Sequence, residues 1–186
     1  MKRFTLVLLS LQIGMVLAQP VSISGVTPGK TNVADLNELL VDSHDLRDGE
    51  NLVSLKELGK LAEIKIDNGV VYEVKLSLMS NRDVLSALTS KYGEPKKISG
   101  KVKSVKCQNG FGASFDGFEG SQTASWPMKD GVVASIEWAA AYKCAKFTVP
   151  TYFLKHIETS NRINSKLARD KANRENENTK KLKDSL

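Results

Sequence analysis

Two cysteines carry the clearest chemistry in this chain of 186 residues. Cys107 and Cys144 are its only cysteines, and neither has a partner in a Cys-x-x-Cys spacing. An even number of cysteines in an exported chain is most simply explained by a disulfide. The alternative is a free or catalytic thiol, which suits an oxidising compartment poorly. We therefore predict a Cys107–Cys144 disulfide that closes a loop of about 38 residues and stabilises the fold by roughly 4 kcal/mol.

The spacing of the candidate residues argues against a nucleotide-binding site and against a metal site. Residues 25–31 superficially resemble a phosphate-binding loop, but three residues separate the two glycines where the motif needs four. The two histidines, His44 and His156, lie in different segments, whereas a zinc site needs three or four clustered ligands. The acidic residues within 41–51 do not follow the calcium-loop register, so we expect a solvated loop there. The sequence predicts no cofactor, no metal and no bound nucleotide.

Carboxylate catalysis remains open, because the spacing of two catalytic acids is spatial and not sequential. Glu119 and Glu137, which lie beside the aromatic residues Phe118 and Trp138, are the candidates for a hydrolytic pair. Ordinary surface and strand charge is the preferred explanation of both. The chain has no Gly-x-Ser-x-Gly elbow and no Ser-x-x-Lys signature with its companion motifs. We therefore predict a non-enzymatic protein, with an envelope hydrolase as an alternative.

The segment 108–122 is the most unusual in composition, since four glycines are interleaved with three phenylalanines. Glycine lets the backbone turn freely, whereas phenylalanine favours burial. Long loops with their own aromatic residues are often binding loops. The alternative is that Phe111, Phe115 and Phe118 close the edge of the core. Both interpretations stay open, and the three phenylalanines are the predicted binding residues.

The N-terminus has the order of a secretory signal. A short basic start, Met1 to Arg3, precedes a largely apolar stretch that ends at Ala18, a small residue before Gln19. The apolar run is well short of the roughly 20 residues of a membrane-spanning helix, and no second run follows. We predict a signal peptide at residues 1–18, a periplasmic or secreted mature protein and no transmembrane segment after cleavage.

The positive charge of the chain is concentrated at the C-terminus. The whole chain has 27 basic and 21 acidic residues, and eight of the basic ones lie among residues 161–186 with four acidic ones. Apolar residues nearly vanish toward this end, so we expect it to be frayed or disordered. Lys180, Lys181 and Lys183 are the candidates for contact with an acidic partner. Nucleic acid is not the expected partner outside the cytoplasm.

The periodicity of the apolar residues predicts the elements that position these groups. Thr31 or Asn32 caps a first helix, and Asn68-Gly69 joins two alternating runs as a hairpin turn. Ser80 or Asn81 caps a second helix that ends at Gly93. Further strands are predicted over residues 97–107, 123–128, 132–142 and 146–149. This order predicts an α+β fold, with helices packed on one face of a mainly antiparallel meandering sheet and a C-terminal charged helix or tail.

Two local patterns carry a family resemblance. They are the helix ending Lys91-Tyr92-Gly93-Glu94-Pro95 and the glycine-threonine turn that leads into a helix over Gly25 to Leu40. Together they resemble small bacterial periplasmic proteins with folds similar to the SmpA/BamE outer-membrane assembly family and the β-lactamase-inhibitor-like repeats. The chain departs from SmpA/BamE lipoproteins in lacking their lipidated cysteine. The resemblance implies a periplasmic binding or adaptor module.

These observations define the expected organisation and function. Residues 1–18 are the signal peptide, residues 19–150 form one α+β domain, and residues 151–186 form a helix, from about Tyr152, and the basic tail. The function expected is that of an exported binding or adaptor protein of the bacterial cell envelope, whose partner is an unidentified protein or acidic envelope component. An inhibitor of a secreted enzyme is a further alternative, because a disulfide-held sheet presents a compact aromatic loop.

Overall fold

The computed structural model describes residues 21–42, 45–78 and 84–184 of the chain. The predicted signal peptide at residues 1–18 lies outside them. The helices are α1 (Val33–Leu39), α2 (Val84–Tyr92) and α3 (Ile157–Asp184). The strands are β1 (Gly49–Leu55), β2 (Lys60–Asp67), β3 (Val70–Ser77), β4 (Lys97–Gly100), β5 (Lys103–Gln108), β6 (Ser114–Glu119), β7 (Ser121–Pro127), β8 (Val132–Ala140) and β9 (Thr148–His156).

The strands form an antiparallel seven-stranded sheet in the order β1-β2-β3-β9-β8-β7-β4, and β5 and β6 form a separate hairpin. Alternate side chains of the large sheet build one core, as period-two strands require. Its buried members include Val53, Ile64, Val74, Leu154, Ile136 and Trp126. Leu36 of α1 and Leu85 and Leu88 of α2 pack against the same core. The α+β prediction, with a sheet, packed helices and a C-terminal helix, is confirmed.

Local turn signals act as the sequence predicts. Asn68 and Gly69 both have positive φ angles, of 50° and 73°, between β2 and β3. The side chain of Asn32 caps α1 by accepting a hydrogen bond from the Asp35 amide at 2.9 Å. Gly93 ends α2 with a φ of 79°. The predicted caps of α2, Ser80 and Asn81, lie outside the described residues.

The end of α2 is fastened to the sheet by polar contacts. The indole Nε1 of Trp126 donates a 2.7 Å hydrogen bond to the carbonyl of Gly93. The hydroxyls of Tyr92 and Tyr152 lie 3.1 Å apart, within hydrogen-bonding distance. Burial, together with this contact, raises the pKa of Tyr152 well above its ordinary value. The buried indole N–H of Trp126 and the buried hydroxyl of Tyr152 therefore both have hydrogen-bond partners, as a stable core requires.

The predicted boundary between sheet and C-terminal helix is wrong by several residues. The expected strand at 146–149 is a nine-residue strand, β9, which lies between β3 and β8, and α3 begins only at Ile157. Tyr152 and Leu154, which were expected to start a helix, are buried on the core face of β9. β9 therefore continues past residue 150, because two neighbouring strands stabilise the extended conformation there.

The segments 97–107 and 108–122 also differ from their predictions. The first is two strands, β4 and β5, and the second contains β6 and the start of β7 with a turn only at residues 109–113. β4–β5 and β6–β7 are two antiparallel halves of one ribbon, which bends at Gly100 and Gly120. Both glycines have positive φ angles, and a Cβ at Gly100 would lie 2.3 Å from the carbonyl oxygen of Ser121. Glycine is required at this corner.

Substitution of the corner glycine tests this requirement. We expect Gly100→Ala to lower the free energy of unfolding by about 2 kcal/mol, because the methyl group adds a steric clash to the cost of a positive φ. Gly112→Ala is the matched control: Gly112 also has a positive φ, of 79°, but its Cβ would meet nothing within 4 Å. The control should cost about 1 kcal/mol in urea denaturation. Equal losses in the two variants would contradict the close approach at the corner.

Candidate functional site: a disulfide-held aromatic and basic end

A disulfide joins the β5–β6 hairpin to the large sheet. Cys107 of β5 is bonded to Cys144 in the connection between β8 and β9, with the two Cα atoms 6.0 Å apart. Cys107 is buried. The predicted pairing is confirmed. Its position means that the hairpin, which belongs to a separate sheet, is covalently held to the end of the main one.

Backbone contacts hold the hairpin along the same side. Phe118 of β6 pairs with Ala145, exchanging hydrogen bonds of 2.8 and 3.1 Å. Gly117 packs so closely that a Cβ would lie 2.9 Å from Cys107 Sγ and 3.0 Å from Cys144 Cα. Only glycine fits between the hairpin and the disulfide. The β5–β6 hairpin is therefore held against the large sheet and is not a free loop. We call this hairpin, residues 103–119, the arm.

The tip of the arm displays Phe111, whose side chain is 99% exposed. The Asn109 side chain accepts hydrogen bonds from the amides of Phe111 and Ala113, each at 3.0 Å, and so closes the turn. Phe111 does not close the core edge, whereas Phe115 and Phe118 are half-buried within β6. The structure thus separates the three predicted phenylalanines into one displayed residue and two strand residues.

Two further exposed aromatic residues flank the disulfide. Tyr142 and Phe147 lie in the β8–β9 connection on either side of Cys144, and they are 66% and 64% exposed. Sequence reasoning placed both within strands and missed them as surface residues. Their position in the sequence was the signal that could have identified them as surface residues. Both lie within three positions of the disulfide-bonded Cys144, on a loop, and loop side chains are mostly on the surface.

Lysines surround these aromatic side chains. We define the aromatic–basic end as residues 101–119 and 141–147. Its exposed lysines are Lys101, Lys103, Lys106, Lys143 and Lys146. Its acidic residues are Asp116, which pairs with Lys106 at 2.8 Å, and Glu119. Five lysines against two acids leave this end with a formal net charge of +3, so it attracts negative surfaces.

The other predicted basic feature lies elsewhere. α3 follows His156, which pairs with Val132 at the first residue of β8, whereas the aromatic–basic end follows Ala140 at its last residue. Nine strand residues separate these points by about 27 Å. Arg162 forms an ion pair with Asp67 near the start of α3. The structure therefore does not bring the start of the basic tail to the aromatic residues.

α3 is helical where fraying was expected. Its 28 residues extend for about 42 Å, and nearly all side chains described beyond its second turn are exposed. Lys180 and Lys181 are exposed, while the side chain of Lys183 lies outside the described part. Lys171 lies 3.9 Å from Glu175 one turn later. Opposite charges at this spacing support a helix without an apolar stripe, and this was the signal that sequence reasoning missed.

The candidate catalytic and metal-binding residues have ordinary structural surroundings. Glu119 lies on β6 opposite Lys103, and Glu137 lies on β8 in the other sheet. The Nδ1 atom of His156 is 2.9 Å from the Thr159 hydroxyl, and His44 lies outside the described residues. Across residues 21–42, 45–78 and 84–184, no three histidine, cysteine or acidic side chains are grouped to hold a metal ion.

Comparison with known proteins identifies no relative. No protein-family model matches the chain, and neither the curated proteins nor the solved structures include a match to it. Among the helices described, none combines the length and the apolar character of a membrane span. The structure itself defines a disulfide-bonded α+β protein with a braced, lysine-rich arm, and its function must be argued from that geometry.

Proposed function

We propose that this chain is an exported, non-enzymatic binding protein of the bacterial cell envelope, and that its aromatic–basic end contacts an acidic surface of another macromolecule. The observation that carries the proposal is Phe111, a large apolar side chain that is almost fully exposed at the tip of a braced turn. Displaying it in water has no benefit to folding. Rigid aromatic residues of this kind are frequent anchors of binding surfaces, because little conformational entropy is lost when they dock.

The lysines supply the second part of the interaction. Of the five in the aromatic–basic end, Lys106 has its acid partner in Asp116, and Lys143 and Lys146 flank the disulfide without an ion pair among the described residues. Such charges steer an acidic partner from a distance and set its orientation, while the aromatic residues supply the contact area. The attraction is screened by salt over a Debye length of about 8 Å at physiological ionic strength. Binding should therefore weaken as salt rises.

Export is part of the same proposal. The order of charged, apolar and small residues over residues 1–18 supports a cleaved signal, and the Cys107–Cys144 disulfide suits an oxidising compartment. In this proposal the exposed Lys180 and Lys181 of α3, together with Lys183 from the same lysine cluster of the sequence, add a separate basic contact. The resemblance to SmpA/BamE and β-lactamase-inhibitor-like folds supports an adaptor or binding role without naming its partner.

The test compares variants of the immobilised mature protein exposed to an envelope extract. We expect Phe111→Ala to leave the melting temperature within about 1 °C of the parent, since the side chain is exposed, but to lower retention of the bound component about tenfold. Lys143→Glu with Lys146→Glu should do the same and remove the salt dependence. The control is Leu167→Ala, which truncates an exposed leucine on α3 and should retain the component in full.

The extract is divided to identify the partner class. Anionic lipid vesicles, isolated cell-wall polymer and the protein fraction are offered separately, and retention by one fraction assigns the class. Equal retention by Phe111→Ala, the double lysine variant and the parent would refute the proposal.

Inhibition of a secreted enzyme is the second candidate, and the shape of the arm favours it. A convex, braced hairpin with one protruding side chain can enter a concave enzyme site. An inhibitor would abolish one hydrolytic activity of a culture supernatant at equimolar ratio, and Phe111→Ala would restore that activity. Retention on an envelope fraction without loss of any activity would favour the acidic-surface proposal.

A further inference from the structure

The end of the arm is uncharged, although lysines surround it. Residues 108–115 include no acidic or basic side chain, and Phe111 protrudes from them with 99% of its surface exposed. Lys106 lies two residues before Gln108, which forms the last strand pair of the hairpin with Ser114. This spacing places Lys106 about 7 Å behind that pair. The arm thus presents an uncharged tip in front of its positive charge.

The backbone of this tip already satisfies most of its own hydrogen-bond donors. The amides of Phe111 and Ala113 donate to the side-chain oxygen of Asn109, each at 3.0 Å. The amide of Gly112 donates to the carbonyl of Asn109 at 2.9 Å, and the amide of Asn109 donates to the carbonyl of Ala113 at 3.0 Å. Four of the five amides of the turn at 109–113 are therefore bonded within it. Such a turn loses little when it leaves water, because an apolar medium offers no replacement partners.

Two further exposed aromatic residues lie near the base of the tip. Tyr142 and Phe147 are two and three residues from Cys144, so the chain holds their Cα atoms within about 7 and 11 Å of it. The Cα atoms of Cys144 and Cys107 are 6.0 Å apart, and the Cα of Phe111 lies within about 14 Å of Cys107. The three aromatic residues therefore belong to one surface.

These features distinguish a lipid bilayer from other acidic surfaces. A hydrophilic wall polymer is attracted by the lysines and gains little from an uncharged side chain that protrudes ahead of them. A protein partner needs a pocket shaped for each protruding anchor. A fluid bilayer accepts separate apolar side chains without matched pockets, while lysine side chains reach its headgroups and aromatic residues favour its interface. An anionic bilayer therefore fits both the tip and the lysines behind it.

We propose that the arm inserts its tip into the surface of an anionic lipid bilayer. Phe111 enters the boundary between headgroups and acyl chains, at the depth of about 5–10 Å that interfacial anchors reach. Lys143 and Lys146 then contact the headgroup phosphates. Binding is reversible, because one inserted side chain and a few lysines supply only modest affinity. The acidic surface of the proposed function, on which this inference rests, is then the bilayer of the cell envelope.

Cosedimentation of the full mature protein with lipid vesicles tests the proposal. The probes are vesicles of phosphatidylcholine alone and vesicles that also contain about 30% phosphatidylglycerol. We expect binding to the anionic vesicles only, and weaker binding as salt rises. Phe111→Ala should lower the partition coefficient about tenfold, because the phenylalanine side chain is no longer buried in lipid. The control is Leu167→Ala, which truncates a leucine 60% exposed on α3 and should bind as the parent does.

Charge variants test the lysines behind the tip. Lys143→Glu with Lys146→Glu should lower binding at least about thirtyfold, since each lysine close to an anionic membrane contributes about fivefold. The control pair is Lys129→Glu with Lys166→Glu. It makes the same change in net charge at two exposed positions, one before the start of β8 and one on α3. This control should bind within about threefold of the parent.

Phe111→Trp reports insertion directly, because indole fluorescence depends on the polarity around the ring. With anionic vesicles its emission should shift to shorter wavelength, and lipids brominated near the top of the acyl chains should quench it. The parent supplies the background, since its tryptophans, Trp126 and Trp138, lie in the large sheet. This variant should bind the vesicles at least as well as the parent does.

Three results would overturn the proposal. The first is equal vesicle binding by Phe111→Ala and the parent, or binding of Phe111→Trp without a spectral shift. The second is equal binding to neutral and anionic vesicles. The third is no vesicle binding while the protein or wall-polymer fraction of the extract retains the chain through Phe111, an outcome that leaves the proposed function standing. Failure of all three fractions would remove both.

Discussion

Replacement of both Cys107 and Cys144 by alanine is expected to lower the free energy of unfolding by about 4 kcal/mol. The disulfide spans 37 positions, so its removal frees a loop of this size in the unfolded chain. Alanine is preferred to serine because Cys107 is buried and a hydroxyl there would lack a partner. Urea denaturation of the oxidised parent and of the double variant measures the difference.

The same experiment locates the effect. Amides of β5 and β6 should lose hydrogen-exchange protection before those of β8 and β9, because the hairpin is fastened to the large sheet mainly by the disulfide and by the Phe118–Ala145 pairing. The reduced parent should behave as the double variant does. An unchanged denaturation midpoint in the reduced parent would contradict a structural role for the bridge.

Glu73→Gln is the second change for which we expect a large effect, a loss of about 3 kcal/mol. The Glu73 carboxylate is buried, with 4% of the residue exposed, and it accepts from Lys65 at 3.1 Å and from Lys155 at 2.6 Å across three strands. Removing one member of a buried ion pair costs roughly 3–5 kcal/mol. The lower end applies here, because each lysine is about one-third exposed and can regain water.

The control for Glu73→Gln is Asp116→Asn, which removes the acid of an exposed pair. Lys106 and Asp116 have side chains 78% and 64% exposed, so this variant should cost less than about 0.5 kcal/mol. Thermal and urea denaturation at pH 7 compare the two. Equal costs would mean that the Glu73 cluster behaves as a surface pair.

The pH dependence of the cluster follows from Lys65. Burial lowers the pKa of Lys65, but the hydrogen bond and charge of Glu73 outweigh burial, and the pKa is raised above its ordinary value. A lysine whose pKa is raised on folding stabilises the protein fully below its unfolded value of about 10.4 and loses that contribution as pH rises through the folded value. The difference between the parent and Glu73→Gln should therefore be complete at neutral pH and should shrink only above about pH 10.

Local chemistry explains the parts of the fold that the sequence predicts well. Asn68-Gly69 specifies the β2–β3 turn because few residue pairs adopt two successive positive φ angles. Asn32 caps α1 through an amide only three residues away. These contacts span a few positions and hardly depend on the rest of the chain. The disulfide could be predicted equally well, because two cysteines allow only one intramolecular pairing.

The candidate site could be predicted only in part. Phe111 was singled out by composition, but the same pattern also selected Phe115 and Phe118, which lie half-buried in β6. Tyr142 and Phe147 were missed, because an aromatic residue in an alternating run is normally a core residue. Both residues are exposed because they lie beyond the end of the β8–β9 pairing. The position of that end is set by the pairing of the two strands and not by the local sequence.

The amino-acid sequence by itself determined the turns, the helix caps, the disulfide partners and the alternation that builds one apolar sheet face. Tertiary structure alone decided the strand order, the corner at Gly100 and Gly120, and the extension of β9 to His156. The physical reason is the sequence separation of the residues that make each contact. A cap or turn is settled by bonds between near neighbours, whereas β9 is extended because β3 and β8 pair with both of its sides, and each of those strands is many residues away along the chain.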